Sequence, residues 1–142
     1  MGKLIAFIGP PGSGKTSVAM QTAIEVYLGS KSNKVVFLSP DLAVPSLGLL
    51  FPNYAPDDLK SLGQLFDRTD ISEVTLLENA VALQSMNDLL CFGYKTDDSK
   101  DKYPEPIPQK LTDLFSVLDR KIAYTFVDCS DDPTDAISDY AI

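Results

Sequence analysis

The sequence contains no histidine, which removes His-based acid–base catalysis, serine–histidine triads and histidine metal ligands together. Any chemistry must fall to carboxylates, hydroxyls, lysine or a bound metal. Cysteine is scarce too. Cys91 and Cys129 lie far apart without C-x-x-C spacing, so neither a zinc site nor a disulfide framework is expected. Both sit in apolar, strand-like runs and read as buried thiols of a reducing cytoplasm. Basic charge is in deficit: twelve Lys and Arg face twenty Asp and Glu, for a net charge of −8 and a pI near 4.3. That balance opposes broad adhesion to DNA, RNA or anionic membranes. No apolar run approaches a membrane span, and the five apolar residues between Lys3 and Gly9 are too few for a signal peptide. A cytoplasmic location follows as the expectation.

What is present is an ordinary apolar fraction, 44% of 142 residues, enough for one compact domain over residues 1–142. Residues 3–8, "KLIAFI", form a continuous apolar run that reads as a strand covered on both faces of a parallel sheet. A second such run is "KVVFLS", residues 34–39. Between them Met20, Ala23, Ile24 and Tyr27 recur at helical spacing and Gly29 is a natural stop, so residues 3–39 read as a βαβ unit.

Between that first strand and helix lies "GPPGSGKT", Gly9 to Thr16, a match to G-x-x-x-x-G-K-[ST]. Glycines permit backbone angles that turn successive N–H groups inward around phosphate oxygens. Gly9, Gly12, Ser13, Gly14, Lys15, Thr16 and Ser17 are the expected nucleotide-binding residues. Within that set Lys15 reaches the β- and γ-phosphates and the Thr16 hydroxyl holds Mg²⁺. The following helix adds the positive end of its dipole. The plain alternative is a Gly-Pro turn with an exposed lysine, but the flanking strand and helix are an independent requirement of the motif, and both are present.

Further along, "DLAVPSLGLLFPNYAP" (41–56) reads as an ordered, functional loop. "DDLKSLGQLF" (57–66) and "SEVTLLENAVAL" (72–83) read as helices, "DLLCFGY" (88–94) as a third buried strand, and "KTDDSKDKYPEPIP" (95–108) as an exposed connection, mobile in part. Leu111, Leu114, Phe115 and Leu118 mark an amphipathic helix before the strand "IAYTFVD" (122–128). The alternation predicts an α/β fold with at least four strands. Asp128 ends the last strand after apolar residues, the form of a Walker-B carboxylate that holds Mg²⁺ directly or through water. Its alternative is a solvated strand terminus.

These features together resemble the ParA/MinD family of P-loop ATPases, including its pilus-positioning branch, CpaE or TadZ. The likeness spans nearly the whole chain: the loop after the first strand, "VVFLSPDLAVPSLGLLF" at the second, and "VDCS" in the Walker-B position. It implies a P-loop three-layer αβα sandwich with a mainly parallel sheet, present here as an N-terminal portion of the full fold. It also implies ATP and Mg²⁺ as cofactors and a nucleotide-dependent homodimer. In the family the second strand commonly ends in Asp-x-Asp. Asp41 falls on the second position, which implies a catalytic switch role in ordering the attacking water, and Ser39 replaces the first. The plain alternative for Asp41 is a turn-starting residue after proline.

Two departures stand out. Pro10 occupies the place of the family's signature lysine, which removes cross-dimer activation by that residue, and "DCSDDP" offers Ser130, Asp131 and Asp132 where switch II has a glycine. Three functions remain open at this point. They are a Mg²⁺-dependent ATPase of the ParA/MinD type, a small-molecule or nucleotide kinase, and a non-hydrolysing nucleotide-binding scaffold. Arg68 and Arg120 are the only arginines, few for the arginine-rich lid of a small kinase.

Overall fold

The computed structural model describes residues 2–9, 14–30, 33–41, 47–52, 54, 59–83, 86–95, 98, 102–103, 106–130 and 135–141. Strands β1 (Lys3–Phe7), β2 (Val35–Ser39), β3 (Val81–Leu83), β4 (Met86–Gly93) and β5 (Tyr124–Asp128) form one sheet in the order β1-β5-β2-β4-β3. The pairings β1–β5, β5–β2 and β2–β4 are parallel, and only β3–β4 is antiparallel. Helices α1 (Lys15–Gly29), α2 (Leu47–Leu50), α3 (Leu62–Phe66), α4 (Glu73–Glu78), α5 (Pro108–Lys121) and α6 (Ala136–Ala141) connect and cover them.

Alternation along the central strands builds two cores. Val35 and Phe37 of β2, Leu89 and Cys91 of β4 and Phe126 of β5 pack with Ala19, Met20 and Ala23 of α1 and with Leu47 of α2. The intervening residues Val36, Leu38, Leu90, Phe92 and Val127 pack on the opposite face with α3, α5 and Ile137 of α6. The result is the three-layer αβα sandwich expected of the sequence. All five residues of β2 are buried, because this strand lies between two parallel neighbours and under both helical layers. No helix among the described residues is long and apolar enough to cross a membrane.

Four expectations need correction. β1 is not covered on both faces: Lys3 and Leu4 are exposed and Ile5 to Phe7 only half-buried. It pairs with β5 alone among the described residues, so it is an edge strand. The helix expected over 72–83 stops at Glu78, where the Asn79 N–H bonds back to Leu76 and Leu77. Val81–Leu83 then pairs with β4, because cross-strand hydrogen bonding and burial beside Cys91 outweigh a weak local helical preference. Of the helix expected over 57–66, residues 57 and 58 lie outside the described residues, 59–61 are not helical, and the helix runs Leu62–Phe66. Ser61 caps it by accepting from Gly63 N–H, while the Gln64 side chain accepts from Ser61 N–H. Nor is the connection over 95–108 wholly exposed. The Asp98 side chain is buried and accepts from Ser61 Oγ at 2.6 Å and Lys95 N–H at 2.7 Å.

Candidate functional site

The parallel strands deliver their carboxyl ends to one edge of the sheet, where crevices of open α/β folds bind ligands. Register places Phe7 of β1 opposite Asp128 of β5, and Ser39 of β2 opposite Gly93 of β4. The β1 terminus is tied to that of β5 by Cys129 N–H donating to Phe7 O at 3.0 Å. α1 starts above this edge. Gly14 precedes it in the left-handed region at φ 79°, a conformation that a side chain disfavours. Its carbonyl accepts from Val18 N–H at 3.1 Å, the first bond of the helix.

The loop lysine and threonine converge on Asp128 although they stand more than a hundred residues from it in sequence. Thr16 Oγ1 donates to Asp128 Oδ2 at 2.6 Å. Lys15 Nζ lies 3.2 Å from Asp128 Oδ1 and also donates to the Cys129 carbonyl. The carboxylate is buried, with the Asp128 side chain 4% exposed against 13% for Lys15. In so little water the ion pair is stronger than its surface equivalent. Gly9 is half-buried just past β1, and Ser17 is exposed on the first turn of α1. Asp41 is half-buried, two residues beyond Ser39. Gly12, Ser13 and Pro10 lie outside the described residues, as do Asp131 and Asp132.

These donors fit a hard divalent cation. Mg²⁺ is typically held by one or two protein oxygens together with phosphate and water, and Thr16 Oγ1 and Asp128 Oδ2 are two adjacent oxygens of that kind. Asp128 Oδ1 and Ser39 Oγ are both buried without a hydrogen-bond partner among the described residues. Ser39 was not among the site residues expected from sequence. Its signals in the sequence were its place at the end of an otherwise apolar strand and its position where the resembled family has the first Asp of Asp-x-Asp, and neither assigned it a role without the fold.

Burial disfavours the reactive thiolate form of both cysteines. Both are free and buried. Burial pushes the Cys91 thiol from its ordinary 9.0 up to about 12. Burial also raises Cys129, partly offset by the positive charge of Lys15. A thiol raised in the folded state contributes stability that is full below the unfolded value and is lost as pH rises toward the folded one. Cys91 therefore favours folding up to about pH 9 and progressively less between 9 and about 12. The folded chain is expected to resist alkylation by iodoacetamide at pH 8, with both thiols modified rapidly once urea unfolds it. Mass spectrometry of the two samples checks this.

A hollow of about 300 Å³ lies at the opposite, amino end of the strands, lined by Gly2, Lys34, Arg120 and Ala123 among others. It contains none of the loop residues.

A parallel sheet with helices on both faces and a glycine-bounded loop leading into α1 defines a P-loop fold. Solved structures narrow it. The chain is 25% identical to the cell division ATPase MinD from Pyrococcus furiosus (TM-score 0.65), covering 97% of this chain and 54% of that one. It matches a ParA family ATPase from Chlorobium tepidum TLS with a TM-score of 0.78 at 14% identity, covering 99% and 55% of the two chains. It also matches apo McdA from Cyanthece with a TM-score of 0.60 at 17% identity, covering 90% and 49%. The fold is thus that of the ParA/MinD-type P-loop ATPases, as the sequence resemblance implied. These three structures do not bear on the pilus-positioning branch. The chain spans about half the length of each of them. No protein-family model and no curated protein sequence matches it.

Proposed function

We propose that the chain binds ATP with Mg²⁺ and hydrolyses it slowly, as a regulatory or positioning ATPase of the ParA/MinD type in the cytoplasm. The observation that carries this reading is the convergence of Lys15 and Thr16 on the buried Asp128 at the carboxyl edge of a parallel sheet. Backbone N–H groups of Gly9, Gly12, Ser13 and Gly14 would cradle the phosphates, with Lys15 on the β- and γ-oxygens and Ser17 beside them on α1. Thr16 and Asp128 would hold Mg²⁺, which supplies charge neutralisation at the γ-phosphate. Asp41 would order the attacking water. ATP rather than GTP is inferred from the description of two of the similar structures as ATPases. Nucleotide-dependent association into a homodimer would be the output, without the cross-dimer lysine that Pro10 replaces.

The kinase reading is weaker. Arg68 is paired with Glu78 at 3.2 Å. Arg120 bonds to Ser116 O within its own helix and lines the hollow at the amino end of the strands. Neither is placed as a lid over Lys15. The non-hydrolysing scaffold shares the binding chemistry and differs only in phosphate release. Equilibrium titration of the chain with ATP, in Mg²⁺ and again in EDTA, tests the proposal together with a phosphate-release assay. Saturable binding that tightens with Mg²⁺ and slow release of phosphate are expected. No saturation at millimolar ATP would overturn the nucleotide reading, and tight binding without release would favour the scaffold.

A further inference from the structure

Ser39 is 2% exposed, and its hydroxyl has neither a hydrogen bond nor an ion pair among the described residues. The other two buried side-chain oxygens without a hydrogen bond, Asp128 Oδ1 and Asp98 Oδ1, each face a lysine, at 3.2 and 3.6 Å. A buried hydroxyl without a partner is destabilising. Its retention at this position calls for a ligand.

Strand geometry says where that ligand lies. In β5, Phe126 faces α1 and Val127 the opposite core, so Asp128 returns to the α1 side. In β2, Phe37 and Leu38 divide in the same way, so Ser39 returns to the α1 side as well. Leu38 is in register with Val127, which places Ser39 and Asp128 one step further as neighbours on adjacent strands, about 5 Å apart across the sheet. On the other flank stands Gly93, where an added Cβ would meet Leu47 Cγ and Ser39 O at 3.3 Å each. Apolar Leu47 closes that flank, so a polar partner for the hydroxyl has to come from the side of Asp128.

We propose that Ser39 is a positioning residue for the divalent cation: its hydroxyl hydrogen-bonds a water of the Mg²⁺ coordination shell, beside Asp128 and opposite Thr16. The inference rests on the nucleotide-binding reading above and adds a residue to it. A neutral hydroxyl here orients a metal-bound water without adding a second negative charge next to Asp128. Outer-shell partners of this kind tune metal affinity about tenfold or more.

The test is Ser39→Ala, with two measurements. In EDTA and without nucleotide, melting temperature is expected to rise by about 2–4 °C, because an unsatisfied buried hydroxyl has been removed. At fixed ATP, the Mg²⁺ concentration at half-maximal tightening of nucleotide is expected to increase about tenfold, with ATP affinity in EDTA unchanged. An unchanged Mg²⁺ midpoint, or a lower melting temperature marking the hydroxyl as purely structural, overturns the inference. Failure of the wild-type chain to bind ATP is a distinct result and overturns the nucleotide reading itself.

Discussion

Lys15→Ala is expected to lower ATP affinity by about two orders of magnitude, corresponding to the roughly 3 kcal/mol that a charge-assisted hydrogen bond can contribute. The side chain is positioned for this. Its ammonium lies at the carboxyl edge of the sheet, 3.2 Å from Asp128 Oδ1, and one turn of α1 carries both it and Thr16. The same substitution leaves Asp128 buried without its cation, and breaking such a pair by removing one partner costs about 3 kcal/mol or more. Melting temperature should therefore fall as well, while Thr16 still donates to Oδ2 and limits the loss. Calorimetric titration of variant and wild type at a temperature well below both transitions separates the two effects. Unchanged affinity in a folded Lys15→Ala chain would remove the loop from the binding site.

Phe37→Ala is expected to have the largest effect on stability, about 3–5 kcal/mol. Phe37 is fully buried at the centre of β2, between β5 and β4 and under α1. Its removal leaves a cavity among Phe126, Cys91 and Met20 that the sheet cannot collapse to fill, because parallel strands on both sides hold the backbone in place. Against a total stability of about 5–15 kcal/mol for a domain, that loss is a third or more. A urea transition moving to lower midpoint with an unchanged slope would show it.

Much of the site was legible before any coordinates. Lys15, Thr16 and Asp128 stand out in the sequence, because glycine spacing, a strand-to-helix transition and a carboxylate at a strand end are local patterns, and the fold brings the three together. The amphipathic α5 was legible for the same reason: its apolar residues repeat at 3.6-residue spacing and face a single core. Less legible were segments whose state depends on neighbours distant in sequence. Val81–Leu83 fits a helix or a strand equally well from its own residues, and β4 decides it. Asp98 sits in a charged, proline-bearing stretch that looks solvated, yet Ser61, 37 residues earlier, draws its carboxylate into the fold.

Sequence alone determined the G-x-x-x-x-G-K-[ST] motif, the acidic character, the absence of histidine chemistry and the alternation that specifies an α/β sheet. Each follows from composition or from residues within a few positions of one another. Tertiary structure alone decided that β1 is an edge strand, that Thr16 meets Asp128 across 112 residues, and that Ser39 stands beside that carboxylate with an unpartnered hydroxyl. The physical reason is register. Which side chains share one edge of a parallel sheet is set by strand order and hydrogen-bond pairing between distant segments, and no local period in the chain encodes either.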